Sequence, residues 1–63
     1  MTNNDPRPGQ IWVRKNDGVQ IQITRFLAEW DDVEYRVIGK DVRARRIFAS
    51  NLRMRYELEQ EAK

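Results

Sequence analysis

The sequence predicts an all-β fold: a small, strongly bent barrel of five short strands. Three observations carry that expectation. Apolar residues alternate with polar ones at period two in "VQIQIT" (19–24), "VEYRVIG" (33–39) and "LRMRYEL" (52–58), the pattern of strands with one face buried. Turn-forming residues punctuate these runs. Five strands in about fifty residues leave little room for a flat sheet, and closing the sheet limits its exposed edges. The barrel is placed at residues 8–58, between a disordered tail at 1–7 and a C-terminal tail at 59–63.

The elements follow in order. Pro8-Gly9 is a turn dipeptide that introduces the first strand, "QIWVRK" (10–15). Ile11 and Val13 share one face of that strand, and Trp12 and Arg14 share the other, read here as the outer face. "NDG" (16–18) predicts a tight hairpin, since Asp-Gly suits a type I′ turn in which both central residues have positive φ. In the second strand Val19, Ile21 and Ile23 point inward. The alternation slips at "RFLA", where Phe26 and Leu27 are adjacent, and a bulge or sharp bend is expected. "EWDD" (29–32) reads as a polar loop with Trp30 at its tip. The third strand places Val33, Tyr35 and Val37 on one side, and "KDVRA" (40–44) connects it to a short fourth strand, "RRIFAS" (45–50). "ASN" (49–51) reads as one tight turn. The last strand then has Leu52, Met54, Tyr56 and Leu58 in, and Arg53, Arg55 and Glu57 out. "ELEQEAK" has helix formers and an i,i+4 Glu59–Lys63 spacing, but seven residues are too few for a stable isolated helix.

Composition narrows the function. The chain has 63 residues and neither cysteine nor histidine, so disulfides, thiolate chemistry, the usual zinc ligands and the usual neutral-pH base are all missing. A single domain of this size has little core to spare for a catalytic cleft. Ser50 has no histidine to activate it. Asp31, Asp32 and Glu34 lack the spacing and glycine of a calcium loop, and they read as a solvated acidic turn. No enzyme activity, metal or cofactor is expected. No apolar run reaches the ~20 residues of a membrane helix, and the polar start has no secretion-signal character. A cytoplasmic protein, monomeric or weakly dimeric, is expected.

The opening and closing residues resemble a known group. "PGQIW", continuing through an apolar first strand, and "IFASNLRMRYEL" at the end resemble short SH3-like, KOW-like barrel proteins of actinobacteria and their phages. The shared residues are Pro8, Gly9, Gln10, Trp12, Arg55, Tyr56 and Leu58. The resemblance spans roughly residues 8–58 and implies an SH3-like fold and a phage or actinobacterial origin. It implies little chemistry, since most such proteins have no known activity.

Charge provides the functional lead. Residues 1–35 carry four basic and six acidic side chains, giving −2, whereas residues 36–63 carry eight basic and four acidic, giving +4. Within "RARRIFASNLRMR" (43–55) there are five arginines and no acid. With the last strand beside the first, Trp12, Arg14, Arg53 and Arg55 form one outward patch. Arg36, Arg43, Arg45 and Arg46 extend it. Arginine charge beside an aromatic ring is the pairing that non-specific nucleic-acid surfaces use. Five arginine–phosphate contacts imply a log affinity falling against log salt with a slope of about −4.5. The competing reading is a solvated face. The alternative function is capture of a protein partner, such as a host protein of a phage, through Trp30, Asp31 and Asp32, because an exposed loop tryptophan suits an interface anchor.

Overall fold

The structure is a computed structural model that describes residues 5–39 and 43–62. Residues Lys40, Asp41 and Val42 of the expected 40–44 connection, the first four residues of the expected 1–7 tail, and Lys63 lie outside the described residues. The strands are β1 (Ile11–Arg14), β2 (Gln20–Leu27), β3 (Asp32–Val37), β4 (Arg45–Phe48) and β5 (Tyr56–Gln60). A single 3-10 turn, Ala28–Trp30, joins β2 to β3, and a helix α1, Ala49–Arg55, joins β4 to β5. All strand pairs are antiparallel, and the order across the sheet is β4-β3-β2-β1-β5. The five-stranded, all-β expectation holds, with the last strand beside the first. The closed barrel does not: β4 and β5 stand at the two edges of an open sheet.

Local chemistry accounts for the turns. Gln10 N–H bonds the Arg7 carbonyl at 3.1 Å, and Gly9 has φ +93°, so Pro8-Gly9 occupies the centre of a type II turn. A Cβ on Gly9 would lie 3.2 Å from the Ala62 Cβ, a second reason for glycine there. The β1–β2 connection is longer than the expected type I′ turn. Gly18 N–H bonds the Arg14 carbonyl and Arg14 N–H bonds the Val19 carbonyl, each at 2.8 Å, closing a loop over 15–18. Only Gly18 in that loop has positive φ, so Asp17 is spared the strain a type I′ turn would impose.

The expected bulge is present. Ile23 pairs with Tyr35 but Arg25 pairs with Glu34, leaving Thr24 as the extra residue on β2. Its hydroxyl donates to the Glu34 carbonyl at 3.0 Å. The bulge shifts the phase of β2, so Phe26 packs against the core although Ile23 lies three positions earlier. Leu27 consequently points out. A second irregularity, where Ile11 pairs with Gln60 and Trp12 with Leu58, sits between β1 and β5. Bulges bend a sheet and increase its twist, which lets one continuous core form from all five strands.

That core contains Trp12, Ile21, Ile23, Val33, Ala49, Leu52 and Tyr56, with Val19, Phe26, Tyr35, Val37, Ile47 and Leu58 packed around it. Trp12 departs from its expected outer position: it is 2% exposed. It pairs with Ile21, and directly opposed residues share a face, so an inward Ile21 brings Trp12 inward.

The segment expected as a tight turn plus the start of the last strand is instead α1. Leu52 is buried as expected, but on a helix, and Met54 is 68% exposed where a core position was expected. Ala, Leu, Met and Arg are good helix formers. Both helix ends find partners outside the helix. Asp31, in the left-handed region at φ 54°, accepts Ala49 N–H at its carbonyl (2.8 Å) and Ser50 N–H at Oδ2 (3.3 Å). At the other end Lys15 N–H bonds the Arg55 carbonyl at 2.9 Å, and Arg53 and Arg55 in the last turn complement the helix dipole. Because α1 follows one edge strand and precedes the other, it spans the gap between the sheet edges. The C-terminal residues expected as a tail continue the sheet: β5 runs to Gln60, and Glu61 accepts a hydrogen bond from Gln10 at 2.9 Å.

Candidate functional site

The predicted site residues fall into separate environments. Trp12 is unavailable for stacking. Its indole Nε1 donates to Oε1 of Gln10 at 3.0 Å, and Gln10 is itself buried. That oxygen also accepts Arg7 N–H at 2.8 Å, and the amide nitrogen donates to Glu61. Gln10 therefore has every polar atom satisfied and ties the opening turn, the core tryptophan and the end of the chain together. The sequence singles out Gln10 only as part of the opening motif; its role follows from lying two positions before Trp12, on the same strand face.

Three arginines of the predicted patch are held by acids. Arg14 grips Asp17 through Nε and Nη2 at 2.8 and 2.7 Å. Arg53 reaches Asp5 at 2.8 Å, which anchors the segment before the opening turn. Arg46, on the outer face of β4, lies opposite Glu34 and 3.8 Å from Asp32. Arg25 and Glu34 pair across β2 and β3 at 4.0 Å, so this part of the outer face is a ladder of alternating charge. Arg43 is exposed just ahead of β4. Arg45 and Arg55 have no acidic partner among the described residues. Arg55 lines one depression with Arg14, Lys15 and Met54, and Arg45 lines another that also includes Arg14. Cations thus gather where β1 turns into β2, around Arg14, but the predicted residues do not form one patch.

The Arg14–Asp17 pair is electrostatically self-contained. The Arg14 hydrogen bond and the Val19 N–H bond hold the Asp17 carboxyl down at about 2. Arg14 is pushed up in turn, first by Asp17 and then by the nearby Tyr56 hydroxyl. Tyr35 meets Tyr56 across the bent sheet. Burial raises the Tyr35 pKa most, the Tyr56 hydroxyl adds to it, and Arg45 and Arg14 partly oppose the rise.

The alternative site looks different. Trp30 is 71% exposed, and its indole has no hydrogen-bond partner among the described residues. Beside it lie Phe48, 58% exposed, and the half-exposed Leu27. With Asp32 and Arg46 they line a shallow groove of about 520 Å³. Phe48 and Leu27 were not expected here. Phe48 follows Ile47 on a short strand, however, and adjacent residues of a strand face opposite ways. Asp31 is not free to serve a partner with both its acceptors, since it holds the start of α1. Glu29, in the same turn as Trp30, has no ion-pair partner among the described residues. The groove adjoins β4, an edge strand whose outer side pairs with no strand among the described residues.

Among the described residues no cluster of three or more metal-ligating side chains occurs, and no helix is long and apolar enough to cross a membrane. Comparison with protein-family models, with curated proteins and with solved structures finds no match for this chain.

Proposed function

We propose that this protein is a small cytoplasmic binding module whose main contact is a protein segment docked on Trp30, Phe48 and Leu27. The carrying observation is the 71% exposure of Trp30 beside a second exposed aromatic, at the open edge of the sheet. Large side chains of this kind dominate binding energy when a partner covers them. The occupant is an extended segment that adds a strand to β4. Main-chain hydrogen bonds along Arg45–Phe48 provide register, and alternate apolar side chains settle over Phe48 and Trp30. A cation on that segment faces Glu29. A second copy of β4 is a poor occupant, because it would set Arg45 and Arg46 against their own like charges.

Selection from a displayed random-peptide library tests this reading. Peptides with alternating apolar residues and a flanking Lys or Arg are expected. Trp30→Ala should weaken their binding by about thirtyfold, the scale of an interface anchor. Peptides that bind the Trp30→Ala protein as tightly as the original defeat the proposal.

A second reading, contact with nucleic-acid phosphates, is supported by the gathering of Arg45, Arg14, Lys15 and Arg55 around two adjoining depressions. Because Arg46 and Arg53 are engaged with acids, we expect a shallower salt slope than five contacts would give, nearer about −2 to −3. The SH3-like reading of the fold belongs to the same proposal. It draws on the strand order and on the helical turn between the last two strands.

A further inference from the structure

We infer that the depression bounded by Arg14, Arg45, Tyr35 and Tyr56 binds a phosphate monoester. It narrows the phosphate reading above to one enclosed anion, rests on that reading for Arg14 and Arg45, and is independent of Trp30.

Two cross-strand pairs create the site. Tyr35 of β3 lies opposite Arg45 of β4, and Arg14 of β1 lies opposite Tyr56 of β5. The bend of the sheet turns the pairs toward each other, so that four strands each bring one donor to the same small opening. Val19, Ile21 and Val37 line the rest of the depression. Its volume of about 160 Å³ equals roughly five waters at ~30 Å³ each, room for a phosphate and little more. The body of the molecule carrying the phosphate must therefore remain outside.

Charge and geometry select the anion. Asp17 already neutralises Arg14 through two of its nitrogens, which leaves Nη1 of Arg14 for other partners. Arg45 has no acidic partner among the described residues, so the site holds one uncompensated cation. Two guanidinium groups and two phenols, arriving from four strands, match the several oxygens of a tetrahedral phosphate better than the two coplanar oxygens of a carboxylate.

The source of the phosphate is open to measurement: a free anion, a mononucleotide, or the 5′ end of a nucleic acid. NMR titration of the full-length chain at constant ionic strength uses sodium phosphate, adenosine 5′-monophosphate, and an oligonucleotide with either a 5′-phosphate or a 5′-hydroxyl. Sodium acetate is the comparator. Saturable shifts at Tyr35, Tyr56 and Arg45 are expected. Arg45→Gln should weaken phosphate binding by about tenfold or more, as befits loss of a charged hydrogen-bond partner. Tyr35→Phe, which keeps the ring and removes one hydroxyl, should weaken it by a smaller factor. Acetate shifts equal to those of phosphate, or phosphate binding untouched by Arg45→Gln, overturn the inference. The outcomes also separate it from the broader reading. Phosphate binding without binding of the 5′-hydroxyl oligonucleotide supports the pocket and removes the nucleic-acid surface. Oligonucleotide binding indifferent to both the 5′-phosphate and Arg45→Gln keeps the surface and removes the pocket.

Discussion

Trp12 lies 2% exposed in the middle of the sheet with its indole N–H bonded to a buried glutamine, whereas Trp30, in the β2–β3 turn, is 71% exposed with no polar partner. Both are in the same small chain, so the contrast separates a residue that makes the fold from one the fold merely displays. Truncating a buried large aromatic costs about 3–5 kcal/mol. A chain of 63 residues has roughly 3–9 kcal/mol to lose, at ~0.05–0.15 kcal/mol per residue. Trp12→Ala should therefore remove about half of the stability or more. Trp30→Ala should shift stability by no more than about 0.5 kcal/mol, the range for surface substitutions. Urea denaturation followed by far-UV circular dichroism compares the two. A Trp30→Ala loss as large as that of Trp12→Ala would make Trp30 part of the core and end the comparison.

The same contrast extends to the groups around each ring. Gln10 satisfies the Trp12 indole, the Arg7 N–H and, through its own amide, Glu61. Gln10→Ala leaves the buried indole donor unpaired, which costs about 1–3 kcal/mol. The loss should fall short of the Trp12→Ala effect and exceed that of Trp30→Ala. Midpoint shifts in the same urea series place it. A Gln10→Ala midpoint equal to the original would mean water replaces the side chain at no cost, and the opening motif would lose its structural explanation.

How far these features were legible differs from element to element. The inward face of β2, with Ile21 and Ile23, follows from strict alternation, and the bulge follows from the neighbouring Phe26 and Leu27. The phase of β1 was equally available. A two-residue turn at Asp17-Gly18 would pair Trp12 with Ile23, and the observed longer loop pairs it with Ile21. Both place Trp12 inside, so its outward assignment contradicted the hairpin it accompanied. The helix α1 was harder. In "LRMR" the apolar and charged residues alternate as a strand requires, and the residue that caps the helix, Asp31, is distant in sequence. No local N-cap signal exists to find. The run of arginines over 43–55 fails as a unit for a related reason: the acids that engage it, Asp5 and Asp32, lie outside those residues. A run of like charge in sequence carries no information about which acids the fold brings back to it. The exposed Trp30 was identified as a candidate, but Phe48 and Leu27 join it only once the register of β2, β3 and β4 is known.

The smallest expected effect belongs to the Arg14–Asp17 clamp in the loop between β1 and β2. The folded-state pKa of Asp17 is about 2, below its ordinary 3.8, because Arg14 and the Val19 N–H favour the carboxylate. A depressed carboxyl contributes stability that is complete above the unfolded pKa and disappears as pH falls through the folded one. The window is therefore pH 4 down to about 2. Both partners are substantially exposed, so solvent and salt screen the pair and the effect is modest. The melting temperature should decline across that window in the original protein, and Asp17→Asn should reduce the slope there while lowering the plateau above it. Added salt should lower the same plateau. If Asp17→Asn leaves the acid slope unchanged, the clamp is not what senses pH in this loop. Arg14 would then be freer to face the Tyr35–Tyr56 opening than its hydrogen bonds imply, and that opening would have two available guanidinium groups instead of one.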